Sequence, residues 1–404
     1  MTITINNKNK KPNVPNSTDK GNAIRNLPNL RFPEFREEWE EHELSEYLDF
    51  KNGLNPKPNQ FGKGIKFISV MDILNNAVIT YDCIRASVSV SEEDMSAFSV
   101  QKGDILFQRS SETLEDVGRA NVYVDDIPAV FGGFVIRGKQ KTNYNPLFFK
   151  YLLSSPLARK RIIRMGAGAQ HFNIGQEGLS KVKLPFACID EQNKIAKILY
   201  LLDKRISLQN KIIEDLKKLK SAISKKLLSN DKWTTYKIQD IAVIGRGRVI
   251  SSVEIDRQKH PLYPVYSSQT SNDGIMGYLD NYMFDGEYIT WTTDGANAGT
   301  VFYRKGKFNC TNVCGTLKIQ PKFDCYFVSL VLQQATQKYV SSNLANPKLM
   351  NNTMASIKIR MPNIETQKQL SKVFQTLDSC LLVHQRTCKM YLSEKQYLLR
   401  QMFI

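Results

Sequence analysis

The phrase "IDEQNKIAKILYLLDKRI", Ile189 to Ile206, returns as "IETQKQLSKVFQTLDSCL", Ile364 to Leu381, at an offset of 175 residues. A repeat of this length constrains architecture more than any local propensity, because equivalent segments are expected to fold into equivalent units. In register, Gln192 falls on Gln367, Leu202 on Leu377, Asp203 on Asp378 and Ile223 on Leu398. Upstream, "WEEHELSEYLDFKNG" from Trp39 answers "WTTYKIQDIAVIGRG" from Trp233 at an offset of 194, so the second copy is 19 residues shorter between these anchors. The ends agree and the middles diverge.

The divergent middles keep a skeleton. "KGDILFQR" matches "DGEYITWT", and "VFGGFVIRG" matches "VCGTLKIQP", which sets Cys314 over Phe131. Short alternating apolar runs such as "NVYV" and "TVFY", punctuated by Gly, Asp and Asn, read as strands of half-buried sheets. Each middle adds one apolar helix, in "PLFFKYLLSSPLARKRI" and in "YFVSLVLQQATQKYV". The expected fold class is α+β: two domains of mixed sheet with helices, separated by two long antiparallel coiled-coil helices in a pseudo-two-fold repeat. The expected segments are a flexible polar lead-in (1–29), a first domain (30–188), a first spacer helix (189–230), a second domain (231–363) and a second spacer helix (364–404).

Each long helix carries a stripe in steps of four and three. The first runs Ile195, Leu199, Leu202, Ile206, Gln209, Ile213, and the second Leu370, Phe374, Leu377, Leu381, His384, Cys388. At ~1.5 Å per residue such a helix is about 57 Å long, too long to bury its stripe on one small domain. Pairing with its twin is the expected solution, with Gln209 and His384 as polar positions that set register. Farther along, Lys220 and Lys395 again fall on equivalent seam positions.

A net charge of +17 suggests a polyanionic partner, since clustered Lys and Arg gain free energy by displacing counterions from phosphates. Charge alone does not distinguish DNA, RNA and anionic lipid. No apolar run approaches the roughly 20 residues of a membrane span, so no membrane partner is expected. Seven irregularly spaced cysteines fit reduced thiols and a cytoplasmic location. Cys310 and Cys314 lack companions for a four-ligand zinc set, and no metal is expected. "GAGAQH" at Gly166 and "GRGRVI" at Gly245 lack the third glycine of a dinucleotide loop, and neither a phosphate-cradling Gly-Lys-Ser/Thr nor a Ser-His-Asp set is present. No catalytic residue is assigned, and the chemistry is expected of a partner.

The phrase "LP.....EQ..I...L..LD" leading into a basic helix, repeated once after two divergent domains, resembles the specificity subunit of type I restriction-modification enzymes. "KFISVMDI" from Lys66, "GDILF" from Gly103 and "YPVYSSQTSNDGIMGYLDNYMFDGEYIT" from Tyr263 support the resemblance, which covers nearly the whole chain from Leu30. It implies that the two domains are target-recognition domains, each reading one half of a bipartite gapped double-stranded DNA site, with the helices as a spacer. It also implies two methyltransferase subunits that modify adenine at N6, and restriction-translocation subunits. S-adenosylmethionine, ATP and Mg²⁺ would belong to those partners and not to this chain. The alternative is a DNA-binding or scaffold protein with tandem domains unrelated to restriction.

Candidate DNA contacts are loop residues whose side chains reach base edges or phosphates. In the first domain these are Lys57, Arg109, Ser110, Arg119, Lys139, Lys141, Gln170, His171 and Asn173. In the second they are Arg246, Arg248, Ser267, Ser268, Gln269, Thr292, Thr293, Asn297 and Lys348. The run Arg159, Lys160, Arg161, Arg164 has no basic counterpart in the second copy, and reads either as a phosphate contact or as an exposed helix face.

Overall fold

Alternating apolar runs form sheets, and one sheet frame recurs in both halves of the chain. A computed structural model describes residues 4–5, 26–168, 170–228, 231–341 and 346–404, and the chain divides into two units, 1–211 with 385–404, and 212–384. The unit boundaries fall inside the two long helices, Ile189–Leu227 and Ile364–Gln401, so each unit takes part of both. This differs from a linear division at 189, 231 and 364. Most of the lead-in lies outside the described residues, and within it Thr4–Ile5 pairs with Leu30–Arg31 as a short antiparallel strand.

In the first unit a four-stranded antiparallel sheet has the order Ala120–Val122, Ile105–Gln108, Val135–Gln140, Leu48–Asn52. The second unit repeats it with Val301–Lys305, Glu287–Thr292, Cys314–Ile319 and Ala242–Arg246. Beside it, Phe61–Ile68 runs parallel to Ala129–Phe131, as Tyr263–Tyr266 does to Asn309–Cys310. This register corrects one alignment: Cys310, not Cys314, occupies the place of Phe131, because the turn Gly132–Phe134 is matched by Thr311–Val313. Most of the shortening lies between Ile68 and Ile105, where the first unit has the helices Val70–Asn75 and Glu92–Phe98 and the second has the turn Ser271–Gly274 and the strand Ile275–Leu279.

The repeated phrase has a job in each unit. Gln192 accepts the backbone N–H of Asn145 (3.0 Å) and donates to the Ala187 carbonyl (2.9 Å). Gln367 does the same with Asp324 (3.0 Å) and Pro362 (2.8 Å). Asn145 and Asp324 are in turn the N-caps of the helices Pro146–Leu153 and Cys325–Ala335, accepting from Phe148 and Phe327. One glutamine thus fixes the start of a long helix to the start of a domain helix.

Eleven residues on, the aspartate makes a second tie. Buried Asp203 accepts from Tyr151 Oη (2.8 Å), Lys150 Nζ (3.3 Å) and, from the other long helix, Lys395 Nζ (2.5 Å). Asp378 accepts from Tyr326 Oη (2.6 Å) and from Lys220 of the other long helix. The seam lysines are therefore ion-paired rather than chance interruptions. Contacts of Asp203 with Lys395, Arg205 with Tyr391 (5.8 Å) and Asn210 with Cys388 (3.3 Å) show that the helices run antiparallel in the first unit.

The stripe is shared more widely than a simple coiled coil would have it. Ile195, Leu199 and Leu202 are buried in one core with Trp39, Phe148 and Leu152 of the domain and with Leu398, Met402 and Phe403 of the second helix. Phe374 is buried in the second core, with Leu370 and Leu377 against it, beside Phe327 and Leu228. These positions pack on their own domain as well as on the twin helix, because an apolar face wider than an a/d seam can meet both. Ile206, Ile213 and Leu381 are partly buried, Cys388 is buried, and Gln209 and His384 are half-buried.

Two predictions follow from the aspartates. Removing the charge of a buried, paired group strands its partner, at a cost of about 3–5 kcal/mol, whereas an exposed pair is worth about 1 kcal/mol or less. Asp203 is 6% exposed and Asp378 40%, so Asp203→Asn is expected to lower the urea midpoint far more than Asp378→Asn; equal losses would refute the assignment. Burial pulls Lys150 down to about 8, with Asp203 opposing and Lys395 adding to the shift. Unfolded, this amine holds its proton to about pH 10.4, so between about 8 and 10 the unfolded chain binds more protons and stability rises with pH. The rise is expected to be about 1–3 kcal/mol and to vanish in Lys150→Met, measured as urea midpoints at pH 7.5 and 9.5.

Candidate nucleic-acid interface

The strand Ile105–Gln108 ends in a crossing of three backbones, and the same crossing recurs in the second unit. Arg109 N–H donates to the Phe134 carbonyl (2.9 Å) and its own carbonyl accepts from Ile174 (3.0 Å). Thr293 N–H donates to the Val313 carbonyl and its carbonyl accepts from Leu349, both at 2.9 Å. Beyond this point Ser110 pairs with Asn173 and Asp294 pairs with Lys348. Equivalent backbone positions thus carry Arg109, Ser110 and Asn173 in one unit, and Thr293, Asp294 and Lys348 in the other.

In the first unit the Arg109 guanidinium donates to the Gly133 carbonyl (3.3 Å), and Ser110 Oγ donates to Asn173 Oδ1. Gln170 and His171 are exposed in the turn leading into Asn173, whose side-chain amide donates to the His171 carbonyl (3.4 Å). Gly133 leaves room here: a side chain at that position would run into Asn55, only two residues before exposed Lys57. Lys139 and Lys141 are not brought to this place. They follow Val135 along a strand rising ~3.3 Å per residue, about 13 Å or more away, where Lys139 pairs with Asp49 and Lys141 donates to the Ser45 carbonyl (2.9 Å). Arg119 turns to Asp116 (2.6 Å).

In the second unit Arg246 bridges the crossing, donating to the Asn312 carbonyl (2.6 Å), Thr293 Oγ1 (3.0 Å) and Asp294 (3.1 Å). Lys348 lies 3.7 Å from the same carboxylate. Ser267 accepts from Thr311 (3.3 Å), the Ser268 carbonyl accepts from Asn297 (3.0 Å), and Gln269 donates to the Ile275 carbonyl. Two expectations of surface position are corrected. Thr292 and Thr293 are 1% and 0% exposed: they lie at the end of and just past an inner strand, with Cys314–Ile319 and Val301–Lys305 paired along its two edges. Arg248 is exposed and paired with Glu254 (2.9 Å), which raises its affinity for its proton.

One residue escaped the sequence reading. Arg304 is stacked on Tyr266 (3.6 Å) and Phe302 (4.4 Å), and donates to the Asp273 carboxylate (2.8 Å) and carbonyl (2.9 Å). It thereby holds the turn at Asn272 and Asp273, whose φ values of +49° and +55° are in the left-handed region that Asn and Asp tolerate best among residues with a side chain. The pattern "SNDG" signals such a turn, but nothing in "VFYRK" signals the arginine beneath it.

Among the described residues no group of three or more His, Cys, Asp or Glu could hold a metal ion. Burial raises both Cys310 and Cys314, the latter to about 11, so these thiols stay protonated. No helix is long and apolar enough to cross a membrane among the described residues.

Comparison with known proteins places this frame. The family described as type I restriction modification DNA specificity domain matches twice, over residues 36–218 and 230–389. A Mycoplasma pneumoniae protein designated a type I specificity subunit is 37% identical over 205 residues, covering 48% of this chain and 80% of its own length. The specificity subunit of the type I restriction enzyme MpnII from the same organism is 42% identical over 146 residues, 36% of this chain and 44% of that one. The fold is that of the type I restriction-modification S subunit from M. genitalium, at a TM-score of 0.69 and 17% identity over 94% of this chain and 99% of that one. With one specificity-domain match in each repeat, the chain belongs to the type I restriction-modification specificity subunits, a non-catalytic family that recognises DNA through two domains.

Proposed function

We propose that each crossing is a reading face, and that the two faces read different halves of one gapped duplex site. The observation that carries this is the shared backbone frame, built at Arg109 in one unit and at buried Thr293 in the other, with unlike side chains beyond it: Ser110 and Asn173 against Asp294 and Lys348. A frame held by backbone hydrogen bonds tolerates such exchange, and base edges are distinguished by those side-chain types. Each mismatched pair costs roughly 1–3 kcal/mol, so two short half-sites discriminate only when held at fixed spacing. The paired helices are the element suited to that.

Chemistry belongs to partners in this reading. Two methyltransferase subunits would bring S-adenosylmethionine and methylate adenine at N6, and restriction-translocation subunits would bring ATP and Mg²⁺. Leu208, Val383 and Met390, each more than half exposed on the long helices, offer apolar positions for such partners to pack on. All seven cysteines are free, in keeping with a cytoplasmic assembly.

Co-expression with its cognate methyltransferase is expected to place N6-methyladenine in a two-part motif with an unspecified gap, read by sequencing modified bases across a genome. Absence of any gapped motif would sink the proposal. Replacing residues 233–360 with those of a relative is expected to change one half-site and leave the other intact. Asp294→Asn is expected to free Arg246 and Lys348 and to strengthen binding to duplex DNA a few-fold at low salt, with a steeper salt dependence. Unchanged or weaker binding in a folded variant would remove this face from the interface.

A further inference from the structure

The basic run at Arg159 finds no use in the reading faces. In the first unit it borders an open cavity of about 490 Å³ lined by Arg119, Lys150, Arg159 and Lys395, together with Asn121 and Glu115. Four cations and one acid stand on this wall. The other carboxylates that balance the cations, Asp116 beside Arg119 and Asp203 beside Lys150 and Lys395, do not line it. We infer that this cavity is a phosphate-binding site, taking a phosphoryl group among Arg119, Arg159 and the two lysines.

Its cations are held in place before any ligand arrives. Arg159 is fixed by donating through Nη2 to the carbonyls of Glu115 (2.9 Å) and Val117 (2.6 Å), while its Nη1 is buried without a partner among the described residues. Lys150 is fixed by the Ala77 carbonyl and Asp203. Burial, then repulsion from Arg119, pulls Arg159 down to about 10, and burial with repulsion from Lys395 pulls Lys150 down to about 8. Like charges crowded on one wall are a cost that a dianion would relieve. Guanidinium pairs with phosphate oxygens in two-pronged fashion and ammonium acts as a point charge, and the volume is within the range of small-ligand sites. The second unit does not repeat the site: at the place of Lys150, five residues past the domain-helix cap, it has Ser329.

A phosphoryl group can come from a free anion or from a DNA backbone, and two arms separate these sources. In the first, the full chain is titrated calorimetrically with inorganic pyrophosphate without Mg²⁺. Wild type is expected to bind it, and Arg159→Gln and Arg119→Ser each to weaken it at least tenfold. Arg119 forms only a surface ion pair, so its variant keeps the test valid if loss of Arg159 loosens the loop it holds; circular dichroism melts check both. In the second arm, the salt dependence of duplex binding is compared. A log–log slope reduced by about 1 in Arg119→Ser, with pyrophosphate displaced by duplex, assigns the site to a backbone phosphate. Pyrophosphate binding lost in the variants with an unchanged slope assigns it to a free phosphate ligand. Absence of variant-sensitive pyrophosphate binding together with an unchanged slope overturns the site, and the first arm does so whether or not the two-face reading of DNA holds.

Discussion

The structure depends on a carboxylate in the middle of each long helix that must find a lysine on the other. Asp203 meets Lys395 and Asp378 meets Lys220, and a domain tyrosine closes each tie. An apolar stripe alone permits register slips of one heptad, since most of its contacts survive the shift. A buried aspartate does not. With the second helix slipped by one heptad, Asp203 would keep Tyr151 and Lys150 but meet Cys388 or Met402 in place of Lys395, and that lysine would lose its carboxylate. The ion pairs therefore add less to stability than to uniqueness, which is the property a spacer between two readers needs.

The ties are not copies in every part. Gln192 and Gln367 hold the cap residues of their domain helices identically, yet Tyr151 stands six residues past its cap at Asn145 and Tyr326 only two past Asp324. The tyrosine reaches the same aspartate from sites one helical turn apart. Position along the long helix is held while the donor is free to move, so the constraint acts on the carboxylate. The same division governs the reading faces, where backbone bonds repeat and side chains do not.

How much of this was legible in the sequence depended on whether a residue's role repeats. Gln192, Asp203, Lys220 and their twins stand out because both copies need them, and the α+β frame follows from alternation between anchors. The place of Phe131 was misread, since Cys310 and Cys314 both sit in apolar strands and a three-residue turn of Gly-Gly-Phe resembles Thr-Asn-Val in nothing but length. Thr292 and Thr293 were mistaken for surface hydroxyls because threonine suits a strand interior as well as a loop, and burial depends on strand order in space. Arg304 was invisible for a related reason: its partners Tyr266 and Asp273 are 38 and 31 residues away along the chain and meet it only once the sheet has formed.

That difference also bears on how such a chain can change its target. A substitution at Ser110, Asn173 or Lys348 alters what a face presents, and the crossing beneath it is held by main-chain hydrogen bonds that take no notice of side-chain identity. A substitution at Arg304 acts on the turn at Asn272 and Asp273 and changes its shape. If these crossings are the reading faces we propose, specificity would be altered residue by residue on one element and in a single step on the other. Neither route touches the aspartates on which the pairing of the long helices within each unit depends.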